Sequence, residues 1–378
     1  MNKITYGRQT ISQDDIDEVI KALKSPAITQ GEYVTAFENA LKEYTGAKYA
    51  IVVSSGTAAL HTAYAALGLK EYEEIITCPN TFAATSNAAL YLNAKVKFAD
   101  INADDFLIDE NKINPLITKN TKIITPIHYA GLTCNMEEIS KTAKNHNIKI
   151  VEDACHALGS YYKNSKTGSC DYSDAAVFSF HPVKHITTAE GGAVLTNDEE
   201  VYKKCLLFRS HGMEKVSFKH IPDSPAYHEM QLLGYNYRMT DIQAALGISQ
   251  LKKIESFVKR RLEIADIYYD AFKNSSKVKM QKRYNNRLNS HHLFSVVFEN
   301  NSLRDKVYYY LKENNIFTQI HYMPVNKHPY YELLGYDYKE TPLAYDFYRR
   351  ELSLPVYPLL TNEEVYFVID KINTALMV

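Results

Sequence analysis

The chain has 378 residues, 46% apolar and 23% charged, with a formal net charge of −1. That length allows a large core in two or three units. The balanced charge supplies no general field toward nucleic acid or an anionic membrane, and no apolar run reaches the length of a membrane helix, so neither partner is expected.

The opening stretch, through Gln9, has no apolar leader. Five cysteines (Cys78, Cys134, Cys155, Cys170, Cys205) show no paired spacing and no CxxC, which reads as reduced thiols in a cytoplasmic protein. Residues 13–24 predict an amphipathic helix with Ile16, Val19, Ile20 and Leu23 at helical spacing. A turn-rich link over 25–31 and a second helix over about 32–45 follow. Tyr49 to Val53 is a continuous apolar strand that runs into Ser54-Ser55-Gly56-Thr57 and then a helical stretch over 58–67. A strand, a small-residue turn and a helix make an anion site, because the first helical amides are unpaired and the dipole is positive there. An ordinary Ser/Thr-capped helix start reads the same way.

Strand-like runs at 75–77, 96–98, 123–125 and 148–151 alternate with predicted helices over about 83–92, 111–118 and 136–146. This alternation predicts an α/β fold with a mostly parallel sheet covered on both faces, whose ligands gather at the carboxyl ends of strands. Thr57, Phe82, Asp153 and Lys184 all fall at such ends. Lys184 sits between an apolar run over 175–180 and a second over 193–196, the latter preceded by Gly191-Gly192. A lysine enclosed there loses hydration, which lowers its pKa and frees a nucleophilic amine. That is the chemistry of a Schiff-base lysine, usually with pyridoxal phosphate; a surface-turn lysine is the plain alternative. Asp153 either caps the next helix or holds a proton on a cofactor's pyridine nitrogen.

Beyond the second apolar run, residues 198–213 predict a helix passing into a loop, 214–233 a long Pro-containing loop, and about 242–272 one long helix. Lys259-Arg260-Arg261 on that helix reads as a solvated face. A compositional shift over 273–289 suggests a boundary. After it come a strand near 292–298, a helix near 303–314, a strand over 317–321 and a final helix over about 362–377.

Seven motifs in order, Ser-Gly-Thr-Ala-Ala-Leu (55–60), Pro-Asn-Thr-Phe-Ala-Ala-Thr (79–85), Glu-Asp-Ala-Cys-His-Ala-Leu-Gly (152–159), Ser-Phe-His-Pro-Val-Lys (179–184), Glu-Gly-Gly (190–192), Arg-Ser-His-Gly (209–212) and Gly-Tyr-Asn-Tyr-Arg-Met (234–239), resemble the DegT/DnrJ/EryC1/StrS sugar aminotransferases. The resemblance implies a fold-type I pyridoxal 5'-phosphate enzyme, aspartate aminotransferase-like. It would have a large seven-stranded, mostly parallel sheet domain over 1–250 and a smaller C-terminal α/β domain over 251–378. It further implies that Lys184 forms the Schiff base and shuttles the proton. Asp153 would pair with the pyridine nitrogen, Phe82 stack on the ring and His156 lie near its O3'. Gly56, Thr57, Ser179 and the Ala58 amide would cradle the phosphate. Asn236, with Arg238 close by, would reach that phosphate from a neighbouring subunit, which requires a homodimer with shared sites.

The match is sharpest to the pseudaminic acid branch of the family. That branch implies L-glutamate as donor, 2-oxoglutarate as by-product and a UDP-4-keto-6-deoxy-N-acetylhexosamine as acceptor. Thr29, Gln30, His321 and Tyr322 are candidate sugar contacts, with ordinary loop packing as their alternative. A 4-aminotransferase for a D-configured UDP- or dTDP-sugar, a non-catalytic regulatory protein and a dehydratase are the competing readings. The intact set Lys184, Asp153 and Phe82 disfavours the last two.

Overall fold

A computed structural model of the chain describes residues 3–216 and 218–377. Met1 and Asn2 of the opening stretch, Ser217 in the expected long loop, and Val378 of the expected C-terminal domain lie outside the described residues.

The sheet strands are β1 (Tyr49–Val53), β2 (Glu74–Thr77), β3 (Lys95–Phe98), β4 (Thr121–Ile124), β5 (Lys149–Asp153), β6 (Ala175–Ser179) and β7 (Gly192–Thr196). They form one sheet in the order β1-β7-β6-β5-β4-β2-β3. Six strands share one direction and β7 alone is reversed, pairing antiparallel with both β1 and β6. β1, β2, β6 and β7 are buried along nearly their whole length. Strands covered on both faces cannot alternate apolar with polar, which is why Ala-Ile-Val-Val and Ala-Ala-Val-Phe read as continuous apolar runs.

The covering helices include α1 (Gln13–Leu23), α2 (Glu32–Thr45), α3 (Gly56–Ala66), α4 (Ala84–Leu90), α5 (Met136–His146), α6 (Glu199–Arg209), α7 (Asp241–Leu251) and α8 (Ile254–Phe272). One face packs Val52, Phe178 and Leu195 against Phe37, Leu41, Leu251 and Phe257 of α2, α7 and α8. The opposite face packs Ile51, Val177 and Val194 against Leu60, Ala63 and Tyr64 of α3. At the C-terminal end, β8 (Val278–Met280), β9 (Phe294–Phe298) and β10 (Glu351–Leu354) form an antiparallel sheet in that order, covered by α8, α9 (Asn301–Glu313) and α10 (Asn362–Met377).

Several expectations change. The single helix over 242–272 is two, α7 and α8, separated at Lys252–Lys253. The expected helix over 111–118 is two short 3₁₀ turns, Glu110–Lys112 and Asn114–Leu116, because Pro115 cannot supply a helical amide. The expected strand over 317–321 survives only as Ile316–Phe317, paired in parallel with Ile4–Thr5. The loop over 214–233 contains a short hairpin, Met213–Glu214 with Glu229–Met230.

Arg261 is not part of a solvated face. It is buried, and its Nη1 donates to the carbonyls of His291, His292 and Val356 at 3.1, 3.4 and 2.7 Å. In α1 the face predicted to pack is instead largely open: Ile16, Ile20 and Leu23 are exposed, whereas Asp15 is buried and receives Gln250 Nε2 and Lys253 Nζ. A buried carboxylate with charged and amide donors fixes α1 on α7 where hydrophobic periodicity points the other way.

Candidate active site

The segments at the carboxyl ends of β1, β2, β5 and β6 meet: Gly56 packs on Ser179, and Thr85 hydrogen-bonds Asp153. β1 leads through Ser55, whose hydroxyl accepts the Ala58 amide at 3.1 Å and so caps α3. The cap occupies the Ala58 amide, leaving the amides of Gly56 and Thr57 as the first-turn donors of a positive helix end. A side chain at Gly56 would sit 2.9 Å from Ser179 Cβ, and one at Gly192 would sit 2.5 Å from the Ser55 carbonyl. Both positions must be glycine for β6 and β7 to approach the turn so closely.

Lys184 lies in the loop between β6 and β7. Its ends are tied by Phe180 N to the Gly191 carbonyl (2.8 Å) and Thr188 N to the Phe180 carbonyl (3.0 Å). The side chain keeps some contact with solvent, but burial of the ammonium lowers its pKa, opposed by the nearby Cys155 and Asp153. Asp153 ends β5 and is buried. Its Oδ2 accepts Thr85 Oγ1 at 2.6 Å and its Oδ1 accepts the Cys155 amide at 3.2 Å. The carboxylate is therefore held in one orientation beside a desolvated amine.

His156 is buried, with Nε2 3.1 Å from Tyr322 Oη and its ring 4.3 Å from that of His292. Burial pushes its pKa well below the ordinary imidazole value, and the Lys184 charge adds to the effect. Among the described residues, Nδ1 of His156, His185 and His292 meets no partner. Phe82 is exposed, 6.4 Å from the Tyr322 ring. His321 is buried next to Tyr322 and Tyr6, and burial together with Lys184 lowers its pKa to about 3.

Lys184, Asp153, His156, Ser179, Gly56, Phe82, His321 and Tyr322 thus belong to one neighbourhood. Thr29, Gln30 and Asn236 form another, which Arg238 joins to the first by pairing with Val53 at the end of β1. Gln30 and Arg238 line a cleft of about 140 Å³ with Glu38 and Arg209, and its lining includes neither Lys184 nor Asp153. Thr29 bridges to Thr240, and Asn236, exposed, bridges to Ser210. Asp241 organises this side by accepting the amides of Gly31, Tyr33 and Val34 at 2.8, 3.0 and 3.2 Å, which caps α2. A larger cleft, about 800 Å³, lies elsewhere. Its four cations are already engaged: Lys163 with Glu137, Arg283 with Asp266, Arg287 with the Thr133 carbonyl, and Lys282 over the Tyr284 ring at 5.3 Å.

Thr85, Cys155 and His292 complete the first neighbourhood and were not singled out from the sequence. Thr85 was nevertheless visible as the last residue of the Pro-Asn-Thr-Phe-Ala-Ala-Thr motif.

A desolvated lysine beside an oriented carboxylate, at the carboxyl ends of parallel strands and next to a helix N-terminus, defines an enzyme of the Schiff-base lysine class. The chain belongs to the DegT/DnrJ/EryC1/StrS aminotransferase family, whose model matches residues 9–373. It is 42% identical over 379 residues to the UDP-4-amino-4,6-dideoxy-N-acetyl-beta-L-altrosamine transaminase of Campylobacter jejuni, covering 99% of this chain and 97% of the relative. Among solved structures it is similar to Helicobacter pylori PseC, an aminotransferase of pseudaminic acid biosynthesis (36% identity, TM-score 0.91, 99% of each chain). It is also similar to the PLP form of Spr1654, a sugar aminotransferase from Streptococcus pneumoniae (30% identity, TM-score 0.91, 99% of this chain and 98% of that one).

The chain is therefore a pyridoxal phosphate-dependent aminotransferase. The residues present fit that cofactor: an amine, a fixed carboxylate, an unpartnered buried imidazole nitrogen and a close-packed glycine turn at a helix N-terminus. Among the described residues no helix is long and apolar enough to cross a membrane, and no cluster of side chains could hold a metal ion.

Proposed function

We propose that the enzyme moves an amino group from L-glutamate to carbon 4 of UDP-2-acetamido-2,6-dideoxy-β-L-arabino-hexos-4-ulose. The products would be 2-oxoglutarate and UDP-4-amino-4,6-dideoxy-N-acetyl-β-L-altrosamine. The observation that carries the chemistry is Lys184 desolvated beside Asp153. Support for the sugar comes from the 42% identity to the Campylobacter jejuni enzyme over nearly all of both chains.

When bound, pyridoxal phosphate supplies an electron sink that makes the hydrogen on the carbon bearing nitrogen acidic. Lys184 Nζ, poorly hydrated, takes the proton from the α-carbon of glutamate and in the second half-reaction returns a proton to C4 of the sugar. Asp153, fixed by Thr85, would hold a proton on the cofactor's ring nitrogen. Phe82 would cover one ring face, and His156 would lie near the ring oxygen. Gly56, Thr57 and Ser179 would hold the phosphate through the start of α3; the Ala58 amide, expected to join them, is taken by the Ser55 hydroxyl. His321 and Tyr322 would receive the sugar on the Lys184 side, whereas Thr29 and Gln30 lie by a cleft without Lys184 and would reach a sugar only across the subunit interface of a homodimer.

Arg238 pairs with Val53 at the end of β1, just before the phosphate turn, whereas Asn236 is exposed and pairs with Ser210, so Asn236 of the partner subunit would complete the phosphate site in a homodimer. The exposed Ile16, Ile20, Leu23 and Ile28 near the N-terminus, with Val216 and Ile221 on the hairpin, give such a dimer apolar surface to cover. The division into a large domain over 1–250 and a smaller one over 251–378, and a cytoplasmic location for five unpaired thiols, belong to the same reading. Incubation with ¹⁵N-glutamate and the 4-keto sugar tests it: the label must appear at C4 of an amino sugar with the L-altro configuration. Recovery of unlabelled ketone overturns the assignment.

A further inference from the structure

His321 ends a chain of buried polar groups that the transamination scheme does not use. Its Nδ1 lies 2.9 Å from Ser353 Oγ, which in turn lies 2.5 Å from Glu351 Oε1. Glu351 Oε2 accepts the His321 amide at 2.8 Å, and Tyr129 Oη donates to the His321 carbonyl at 2.7 Å. All four side chains are buried. The opposite ring nitrogen, Nε2, is neither sealed off nor hydrogen-bonded among the described residues, and the ring lies within electrostatic reach of Lys184.

We propose that Glu351 and Ser353 are positioning residues that decide which ring nitrogen of His321 carries the proton, and so whether His321 offers a donor or an acceptor to the bound sugar. The inference rests on the reading of His321 as a sugar contact. The hydroxyl of Ser353 has one proton, so the chain has only two polarities. With an ionised carboxylate, Ser353 donates to Glu351 and accepts from His321 Nδ1–H, leaving Nε2 an acceptor. With a protonated carboxyl the chain reverses, Ser353 donates to Nδ1, and Nε2–H becomes a donor.

Burial pushes Glu351 up to about 8, and Ser353, the His321 amide, Ser295 and Arg304 only partly offset it. The groups facing it are Arg304 of α9, the phenols of Tyr129 and Tyr322, His321 itself, and the hydroxyls of Ser295 and Ser353. Arg304 is shared with Asp305 at 2.7 Å. At neutral pH the carboxyl is uncharged and His321 presents Nε2–H. That polarity suits a substrate whose ketone, acetamido carbonyl and diphosphate are all acceptors.

Glu351→Gln fixes the neutral-pH polarity, because its amide oxygen accepts the His321 N–H and its NH₂ donates to Ser353. The test uses holoenzyme and follows each half-reaction separately by cofactor absorbance from pH 6.5 to 9.5. In the wild type the sugar half-reaction, and not the glutamate half-reaction, falls above pH about 8. That fall is missing in Glu351→Gln, and Ser353→Ala slows the sugar half-reaction about tenfold at neutral pH. Identical pH profiles in wild type and Glu351→Gln, or both half-reactions falling together, overturn the proposal. Nitrogen-15 spectra of histidine-labelled enzyme, with His321 assigned through His321→Gln, read the tautomer without turnover. Nε2–H at pH 7 changing to Nδ1–H above pH 8 is expected in the wild type. Nδ1–H at both values overturns the relay even where the sugar is aminated. A sugar that is never aminated, with the tautomer change present, overturns the substrate reading and leaves the relay standing.

Discussion

Thr85, in the first turn of α4, and Asp153, the last residue of β5, meet in one short bond, Oγ1 to Oδ2 at 2.6 Å, on the carboxylate close to Lys184. Both are buried, so the bond holds the carboxylate in position without competition from water. Removing the hydroxyl in Thr85→Val leaves a charged oxygen short of one donor, a loss of about 1.5–3 kcal/mol for a bond to a charged group. Cofactor retention should weaken about ten- to hundredfold in equilibrium dialysis, while Thr85→Ser, which keeps the donor, should stay near the wild type.

Arg261 is the second test. Its guanidinium serves three backbone carbonyls where α8 meets the C-terminal sheet. Arg261→Ala strands these acceptors and opens a cavity, so urea denaturation should report a loss of about 3 kcal/mol or more. Lys259→Ala, two positions away and exposed, should stay within about 0.5 kcal/mol.

Asp241 links α7 to the start of α2 through three amides. Asp241→Ala should cost about 1–3 kcal/mol in thermal or urea unfolding, and the Thr29–Gly31 segment should become the most rapidly exchanging part of the fold in hydrogen exchange.

Acid sensitivity follows from the buried histidines. Burial lowers His61 to about 4, and His291 and His321 to about 3, while His156, His185 and His292 are also pushed well down. Between pH 6.5 and these values the unfolded chain binds protons that the folded chain refuses, so stability is full above pH 6.5 and falls as the pH drops. The urea midpoint should fall steadily from pH 7.5 to pH 5, and His61→Gln, which removes one such group, should flatten the slope. An unchanged midpoint over that range contradicts the assignment of these imidazoles as neutral and buried.

The sequence made much of this legible, and for physical reasons. Continuous apolar strands such as Ala50 to Val53 and Ala175 to Phe178 announce a sheet covered on both faces, and Lys184 between two of them has few ordinary explanations. The helix break at Lys252–Lys253 was not legible, because neither residue is a helix breaker and tertiary packing alone turns the chain. Arg261 misled for a related reason: a run of three cations normally faces water, and only the arrival of the His291, His292 and Val356 carbonyls from distant segments makes burial of one of them favourable. The Glu351–Ser353–His321 chain joins residues that no local pattern connects, so only the folded chain reveals it.

The spectral cycle of the holoenzyme tests the central claim most directly. Glutamate should bleach the absorption band of the Lys184-bound cofactor, and the L-configured UDP-4-keto sugar should restore it, with Lys184→Ala lacking the band from the start. Bleaching by glutamate without recovery on adding this sugar would contradict the substrate assignment, and a band that glutamate leaves unchanged would contradict glutamate transamination at Lys184.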